Sequence, residues 1–524
     1  MVASAPSSAS SSASPARAYA RHEPETTVLH VVVREHLETF LFTVCEERGK
    51  ALPRYVEEEL RRYLRCGILA YGFLRAVCPK CRKEIVVAHA CKCRGACPSC
   101  SARRMCGTAA HLVDHVLPRD VPVRQWVLTA PYEVRRVLAL RPDALTACGR
   151  VFVEEIARWQ KREGKGGETG AVTFVQRFDG TLGSFVHFHV AVPDGVFTRA
   201  EGGAVTFHEG PAPTRADIAG VAERVEKRMT RWLRRRGLID ERAAEERSNE
   251  APELSPLEAC MQMSLFGSTF LRLASDGTPV PLDDERARAA VKGPWVGEAS
   301  GYNVHAGVTV RAGDGEGLER LLRYCARPPF SLERMSLLPD GRVAYLLRKP
   351  RRNGATHLVM TPVQLLARIS ALIPPPRYPL VRFSGVFAPR SRWRAGVVPK
   401  TPASRCAPAM ATRKKKAKRD AASSLGSDRA GGSSGRANDY EAPKGPRTSL
   451  GDGVVRPVGA RLDWASLLRR VYLEDVLACP CGGRRSIIAD ITEPDVVVAI
   501  LAHLNLPTKA PPVARARSPG EDAA

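Results

Sequence analysis

The stretch Phe185-Val186-His187-Phe188-His189-Val190 sets two imidazoles one residue apart in a run that otherwise reads as a buried strand. Side chains alternate faces along a strand and the rise is about 3.3 Å per residue, so His187 and His189 project together with Cα atoms roughly 6 to 7 Å apart. That spacing lets both rings converge on one metal ion. Two ordinary histidines on the wet face of a half-buried sheet, with Phe185, Val190 and Val192 in the core, would look the same locally, because histidine is a common surface residue as well as the commonest ligand.

A second chemical cluster is made of thiols. The chain has 15 cysteines, and eight of them fall between Cys66 and Cys106. Cys78 and Cys81, then Cys97 and Cys100, read C-x2-C, fifteen residues, C-x2-C, two tight knuckles whose thiolates can complete a tetrahedron around a structural Zn2+. Buried or redox-active thiols are the competing reading. Cys66 and Cys91 are further candidate zinc ligands, and Cys93, Cys106 and His89 could join a second site or substitute. Four thiolates leave no open position, so such a zinc would organise the chain rather than catalyse. Arg94, Arg103 and Arg104 lie beside the cluster, with Arg61, Arg62, Arg65 and Arg75 upstream, and a metal-pinned knuckle carrying arginines suits phosphate contact. A protein–protein contact could use the same residues. Cys479 and Cys481 in CPCGG are separated by one residue, poor spacing for a zinc knuckle.

The third group is a phenol. In the helix predicted over Gly315 to Arg327, Leu318, Leu321, Leu322 and Cys325 form the buried stripe, while Arg320, Tyr324 and Arg327 fall at i, i+4 and i+7 on another face. Flanking guanidinium groups can hold a phosphodiester and ease formation of the phenolate, whose free pKa is about 10. An amphipathic exposed tyrosine is the plain alternative.

The elements that must position these groups follow from periodicity. Thr27 to about Leu64 reads as two helices, and AVTFVQRF, a turn at Asp179 and Gly180, and SFVHFHVAVPDGVF as a strand pair with the histidines on its second strand. ADIAGVAERVEKRMTRWLRRRG is a long amphipathic helix with a basic end. YNVHAGVTVRA, RVAYLLRK and ATHLVMTP read as strands, and PVQLLARISALIPPP as a helix. From Lys400 to about Thr448 the apolar pattern gives way to Ala, Ser, Gly and charge, including RKKKAKR at 413 to 419, the signature of a disordered linker with weak affinity for phosphate.

Across the 524 residues, 80 Lys and Arg stand against 55 Asp and Glu, a formal charge of +25. Such an excess favours a polyanionic partner, DNA or RNA before a membrane surface. No run approaches the roughly eighteen apolar residues that a membrane span needs. The opening lacks a compact apolar core of the secretory kind, so the expected location is the cytoplasm, where thiols stay reduced.

A His-hydrophobe-His strand followed at a distance by a Tyr-x-x-basic helix is the HUH endonuclease arrangement. The words CKCRGACPSCSARRM, AAHLVDHVLPRDVPVRQWVLTAP, GAVTFVQRFDG, VHFHVAVPDGVF and RYCARPPFSLERM, in this order, resemble the IS91-type rolling-circle insertion-sequence transposases, from about Thr27 to Pro399 and again at the terminal module. The resemblance implies an α+β fold in which a helical and zinc-ribbon-like DNA-recognition domain (27–117) precedes an HUH nuclease domain with an antiparallel sheet backed by helices (118–399); composition and pattern add a disordered leader (1–26), the basic linker (400–453), a small C-terminal module (454–507) and a tail (508–524).

It also implies a chemistry. Mg2+ or Mn2+ on His187 and His189 would polarise the scissile phosphate of single-stranded DNA. Tyr324 would attack it, leaving a free 3′-OH and a 5′-phosphotyrosyl link. Arg327 takes the place of the lysine in the family's Tyr-x-x-Lys. Gln176, on the strand paired with the histidines, is the candidate third ligand, with His305 and Asp194 as rivals. Arg94, Arg103, Arg104 and Arg320 would contact DNA at the transposon ends and the target site. Two-tyrosine members carry a tyrosine four residues before the second, and that position here is Arg320, so the sequence resembles a single-tyrosine variant. One nucleophile could then serve twice, be joined by a second copy of the chain, or give way to the liberated 3′-OH. The expected location is the bacterial cytoplasm, at the nucleoid. A replication initiator or relaxase would share the chemistry, although no GxxxxGK[ST] helicase loop occurs. An inactive zinc-containing DNA-binding protein would share the fold. The two-metal H-x-H-x-D-H hydrolases are excluded because Val-Ala-Val follows His189.

Overall fold

The computed structural model describes residues 21–163, 167–239, 254–265, 269–274, 277–280, 293–399, 464–472 and 475–517. Most of the predicted leader, the basic linker with its 413 to 419 run, and the last residues of the tail lie outside the described residues. Helices and antiparallel sheets are mixed, an α+β architecture.

The chain opens with α1 (Val28–Arg48), capped by the Thr27 hydroxyl, which accepts from the His30 N–H, and closed by Gly49 in the left-handed region at φ 61°. Its buried face, Leu29, Val33, Leu37, Phe40 and Val44, recurs every three or four residues, as a core-facing helix requires. After α2 (Arg54–Tyr63) comes the hairpin β1 (Phe73–Val77) and β2 (Glu84–Ala88), then α3 (Pro98–His115), whose N-cap is Cys97.

The centre is a six-stranded antiparallel sheet in the order Val296–Ala299, Tyr302–Val310, β3 (Val123–Thr129), β5 (Ser184–Pro193), β4 (Gly170–Phe178) and Val381–Gly385. The β4–β5 pair matches the predicted strand pair. Asp179 shapes its turn, accepting from the backbone N–H groups of Thr181 and Gly183. Because faces alternate, the sheet separates two cores. Trp126, Leu128, Val175, Phe188 and Val190 pack with α4 (Pro142–Glu163) and α5 (Arg215–Arg234). The contact with α4 is close: a Cβ on Gly149 would lie 3.0 Å from the Phe188 ring. Val123, Val172, Phe174 and Ala191 share the opposite core with α3 and with the helix Gly315–Cys325, the tyrosine helix below.

α3 therefore belongs physically to both halves of the chain. It begins at the cysteine cluster, and its Ala109, Leu112, Val113 and Val116 pack in the core that holds Leu318, Leu321 and Leu322 of the tyrosine helix.

The C-terminal segment, read in the sequence as a module of its own, is built into the N-terminal domain. Strand Ser486–Ile491 pairs antiparallel with β1, making a three-stranded sheet with β2. Val497 and Leu501 of the helix Pro494–His503 close a small core with Leu69, Phe73 and Val86. A further sheet, of five short strands, includes Val343–Leu346 and His357–Met360, and the helix Pro362–Leu372 follows it behind a capping box of Thr361 and Gln364.

Candidate active site and metal centres

β3, β4 and β5 present Gln125, Gln176, His187 and His189 on one face, with Gln176 opposite His187 in the register. The two imidazole centroids are 4.9 Å apart. His187 is 8 % and His189 3 % exposed, and burial lowers their pKa values to about 4 and about 3. Both rings are thus neutral at physiological pH and keep a lone pair.

The hydrogen bonds decide where that lone pair points. His187 Nδ1 bonds to the carbonyl of Phe185 at 3.1 Å, which can only accept, so Nδ1 carries the proton and Nε2 is bare. His189 Nδ1 lies 2.9 Å from Gln125 Nε2, which also donates to Cys325 Sγ at 3.1 Å, and His189 Nε2 is buried with no partner. With the amide turned so that Oε1 faces the ring, the orientation a metal on Nε2 requires, Gln125 would accept Nδ1–H and Nε2 would be left as a lone pair. An orphaned buried nitrogen beside a second bare one fits a divalent cation. Gln125 was missed in the sequence, since only the register brings it beside Ala191 and within reach of His189.

The tyrosine helix meets this pair. The Tyr324 ring stands edge-on to His189, centroids 5.7 Å apart and planes at 90°, and the residue is 45 % exposed. Gln176 fastens the helix end, donating its amide to the carbonyls of Tyr324 at 3.1 Å and Cys325 at 2.8 Å. Its Oε1 receives a long contact from Arg327 Nε at 3.5 Å.

The predicted helix end moves by two residues. The helix stops at Cys325, because Pro328 disfavours helical backbone at Arg327. Arg327 nevertheless turns its guanidinium over the Tyr324 ring, 4.8 Å from the centroid, and over Phe178. Arg320 lies one turn earlier and pairs with Glu316 at 3.8 Å. The rival ligands stand elsewhere: Asp194 is tied to Arg124 by two contacts of 2.8 Å, and His305 is separated from His189 by Val127 of the intervening strand.

The cysteines form two centres, and the expected set of Cys78, Cys81, Cys97 and Cys100 is not one of them. Each C-x2-C knuckle goes to a different cluster. Cys97 and Cys100 meet Cys66 and Cys91: the sulfurs of Cys66 and Cys100 lie 3.7 Å apart, Cys66 and Cys97 3.6 Å, and Cys91 and Cys100 3.5 Å. A zinc–sulfur bond of about 2.3 Å gives a tetrahedron with edges of roughly 3.8 Å, whereas a disulfide needs about 2.05 Å. The Cys100 thiol is driven below its usual pKa by the S–H groups of Cys66, Cys91 and Cys97. Cys93 lies outside, donating to the Glu59 carbonyl, and His89 pairs with Asp490 at 2.8 Å.

Glu59 holds this centre in shape, although no sequence pattern marks it. Its carboxylate accepts from the backbone N–H groups of Arg94 at 2.7 Å, Gly95 at 2.9 Å and Ala96 at 3.2 Å. The loop is wedged against the end of the helix Pro362–Leu372, where a Cβ on Gly95 would meet Ile373 Cα at 2.9 Å. Arg94 is turned inward, donating to the carbonyls of Pro375 and Tyr378, and it joins the cysteine loop to the segment after the helix Pro362–Leu372 instead of facing outward. Arg104 braces the loop through the carbonyls of Lys92 and Cys93, while its residue and Arg103 are exposed.

Residues 32–130 match the family model of the transposase zinc-binding domain, and residues 170–394 match that of the transposase family Y2_Tnp. No curated protein and no solved structure matches the chain. A DNA-processing enzyme with an N-terminal zinc-binding domain is the class that these matches and the cysteine centre define. The order of its parts, zinc domain before transposase domain, is that of an IS91-type transposase. Among the described residues no helix is long and apolar enough to cross a membrane.

Proposed function

We propose that this transposase nicks and rejoins single-stranded DNA at transposon ends through a 5′-phosphotyrosyl intermediate on Tyr324. The observation that carries the reading is the edge-on approach of an exposed phenol to His189, whose Nε2 is buried and unpartnered. His187, His189 and the Gln176 carbonyl oxygen would hold Mg2+ or Mn2+, which supplies Lewis-acid polarisation of the scissile phosphate.

The chain's own groups do the rest. Arg327 lies over the Tyr324 ring, where a guanidinium can pair with a phosphate oxygen and stabilise a phenolate. The Tyr324 oxygen forms a bond to phosphorus, and the 3′ oxygen of the preceding nucleotide leaves and takes up a proton. The reverse attack by a 3′-OH restores the phenol, so one phosphodiester is exchanged for another without an external energy source. Arg103, Arg104 and Arg320 are exposed and suited to the DNA backbone, and strand transfer by a single tyrosine makes a second copy of the chain a natural partner.

The test uses purified protein, Mn2+ and single-stranded oligonucleotides taken from the DNA flanking the gene. A denaturant-stable protein–DNA adduct is expected, lost in Tyr324→Phe while oligonucleotide binding persists. An adduct that survives the substitution, or none with any flanking strand, overturns the proposal.

A further inference from the structure

We infer that Cys78, Cys81, Cys479 and Cys481 hold a second zinc ion, a clasp that joins the C-terminal segment to the N-terminal domain across some four hundred residues of chain. The four sulfurs lie within 4.8 Å of one another. Cys78 and Cys481 are 3.6 Å apart, and Cys81 and Cys479 3.5 Å, lengths that again match a tetrathiolate edge and not a disulfide. Soft thiolates in a tetrahedral set select zinc over the hard Mg2+ and Ca2+.

Each half of the site is a built turn. Between β1 and β2, the Cys78 N–H donates to the Lys83 carbonyl and the Arg82 N–H donates to the Cys78 carbonyl, folding the knuckle back on itself. In the CPCGG segment the Cys479 N–H donates to the Gly483 carbonyl and the Gly482 N–H to the Cys479 carbonyl, with Gly482 in the left-handed region at φ 76°. Gly483 is a close-approach position: a Cβ there would lie 2.7 Å from Cys78 Sγ and 3.3 Å from Cys481 Sγ. Lys80 Nζ crosses from one turn to the other, donating to the Cys481 carbonyl at 3.0 Å. The one-residue spacing of Cys479 and Cys481 is thus served by a glycine turn that brings both sulfurs round to one side.

The packing around the clasp explains why a metal is needed. Strand Ser486–Ile491 lies at the edge of a three-stranded sheet whose core has five buried residues, Leu69, Phe73, Val86, Val497 and Leu501. Cores this small seldom hold without a metal or a disulfide, and a metal that binds only the docked arrangement adds its binding free energy to docking.

Metal content of the full-length protein tests the clasp. Two zinc ions per chain are expected in the wild type and one in Cys479→Ser/Cys481→Ser. One ion in the wild type, or two in the double variant, overturns the inference, and iron in place of zinc overturns the choice of metal. A second experiment does not depend on the variant's folding: a protease recognition sequence inserted near residue 430 of the wild-type chain is cut after purification. The C-terminal fragment should co-elute with the rest in zinc and separate when a chelator removes the metal. A fragment that stays bound once metal-free, or that leaves while both zinc ions remain, sinks the proposal.

Discussion

Gln176 donates its side-chain amide to the carbonyl oxygen of Tyr324 at 3.1 Å from the position in β4 directly opposite His187. One side chain thereby ties the tyrosine helix to the strand pair that carries the two histidines. Gln176→Leu removes both donors and the Oε1 acceptor from a buried site. Adduct formation should fall by about 10- to 100-fold or more, because the variant loses both the group that orients the tyrosine helix and the proposed third metal ligand, while oligonucleotide affinity changes little. Gln176→Glu keeps the shape but aims an acceptor at two carbonyls, so it should be at least as impaired. A Gln176→Leu protein that forms adduct at the wild-type rate would show that the clamp is dispensable.

Gln125 makes a similar argument for His189. Gln125→Leu frees Nδ1 of that ring to take either tautomer, and half of the ring's orientation is lost. The Mn2+ concentration for half-maximal adduct formation should rise about 10- to 100-fold, with the rate at saturating Mn2+ less affected. An unchanged Mn2+ requirement would remove Gln125 from the site.

The pH dependence follows from burial. His187 and His189 titrate at about 4 and about 3 when folded, against 6.5 for a free imidazole. The unfolded chain therefore binds protons below 6.5 that the folded chain refuses, and stability is full above 6.5 and falls as the pH drops toward 4. Urea midpoints in the metal-free protein should decline over that window, and His187→Gln/His189→Gln should flatten the decline. Adduct formation should show no imidazole titration between pH 5 and 8 (about one unit clear of the folded value).

The sequence made the local half of this site legible. Alternation along β5 predicted that His187 and His189 share a face, and the three- and four-residue spacing of Leu318, Leu321, Leu322 and Cys325 predicted which side of the helix is left for Tyr324. Those patterns report only on the element that carries them. Register is invisible to them, so Gln125 went unseen beside His189, and Arg94 read as a surface cation although its guanidinium is spent on Pro375 and Tyr378. The thiols show the same limit in sharper form. A metal tetrahedron is indifferent to separation along the chain, so spacing joined Cys78 to Cys97 when their partners are Cys481 and Cys66.

The first cysteine centre separates ligands from bystanders. Cys97→Ser removes a thiolate from the cluster with Cys66, Cys91 and Cys100 and should cost one zinc ion and the binding of transposon-end DNA. Cys93→Ser keeps a donor for the Glu59 carbonyl and should retain the metal, although the two residues are four apart in one loop. Zinc loss in both, or in neither, would mean that this centre is wrongly drawn. EDTA at concentrations that spare the thiolate sites should stop adduct formation first, because oxygen and imidazole ligands hold Mg2+ or Mn2+ more weakly than four thiolates hold zinc.

Arg470 links the docked C-terminal segment to the tyrosine helix. From the helix Trp464–Tyr472 its guanidinium reaches Asp114 of α3 at 2.5 Å and Glu319 of the tyrosine helix at 2.6 Å. Leu467 of the same helix is buried with Cys106 and Ala110 of α3. Arg470→Ala leaves Glu319 without the guanidinium it shares with Asp114, which keeps only its outer contact with Arg119 at 2.7 Å. Partial exposure screens the pair, so the loss should be about 1 to 2 kcal/mol in global stability. Hydrogen exchange should rise along residues 464–472 and at the exposed end of the tyrosine helix, and adduct formation should slow without a change in zinc content. Arg470→Lys restores the charge but not the fork, and it should recover stability more than exchange protection. If the alanine variant exchanges like the wild type in the tyrosine helix, the C-terminal segment is docked without bearing on Tyr324.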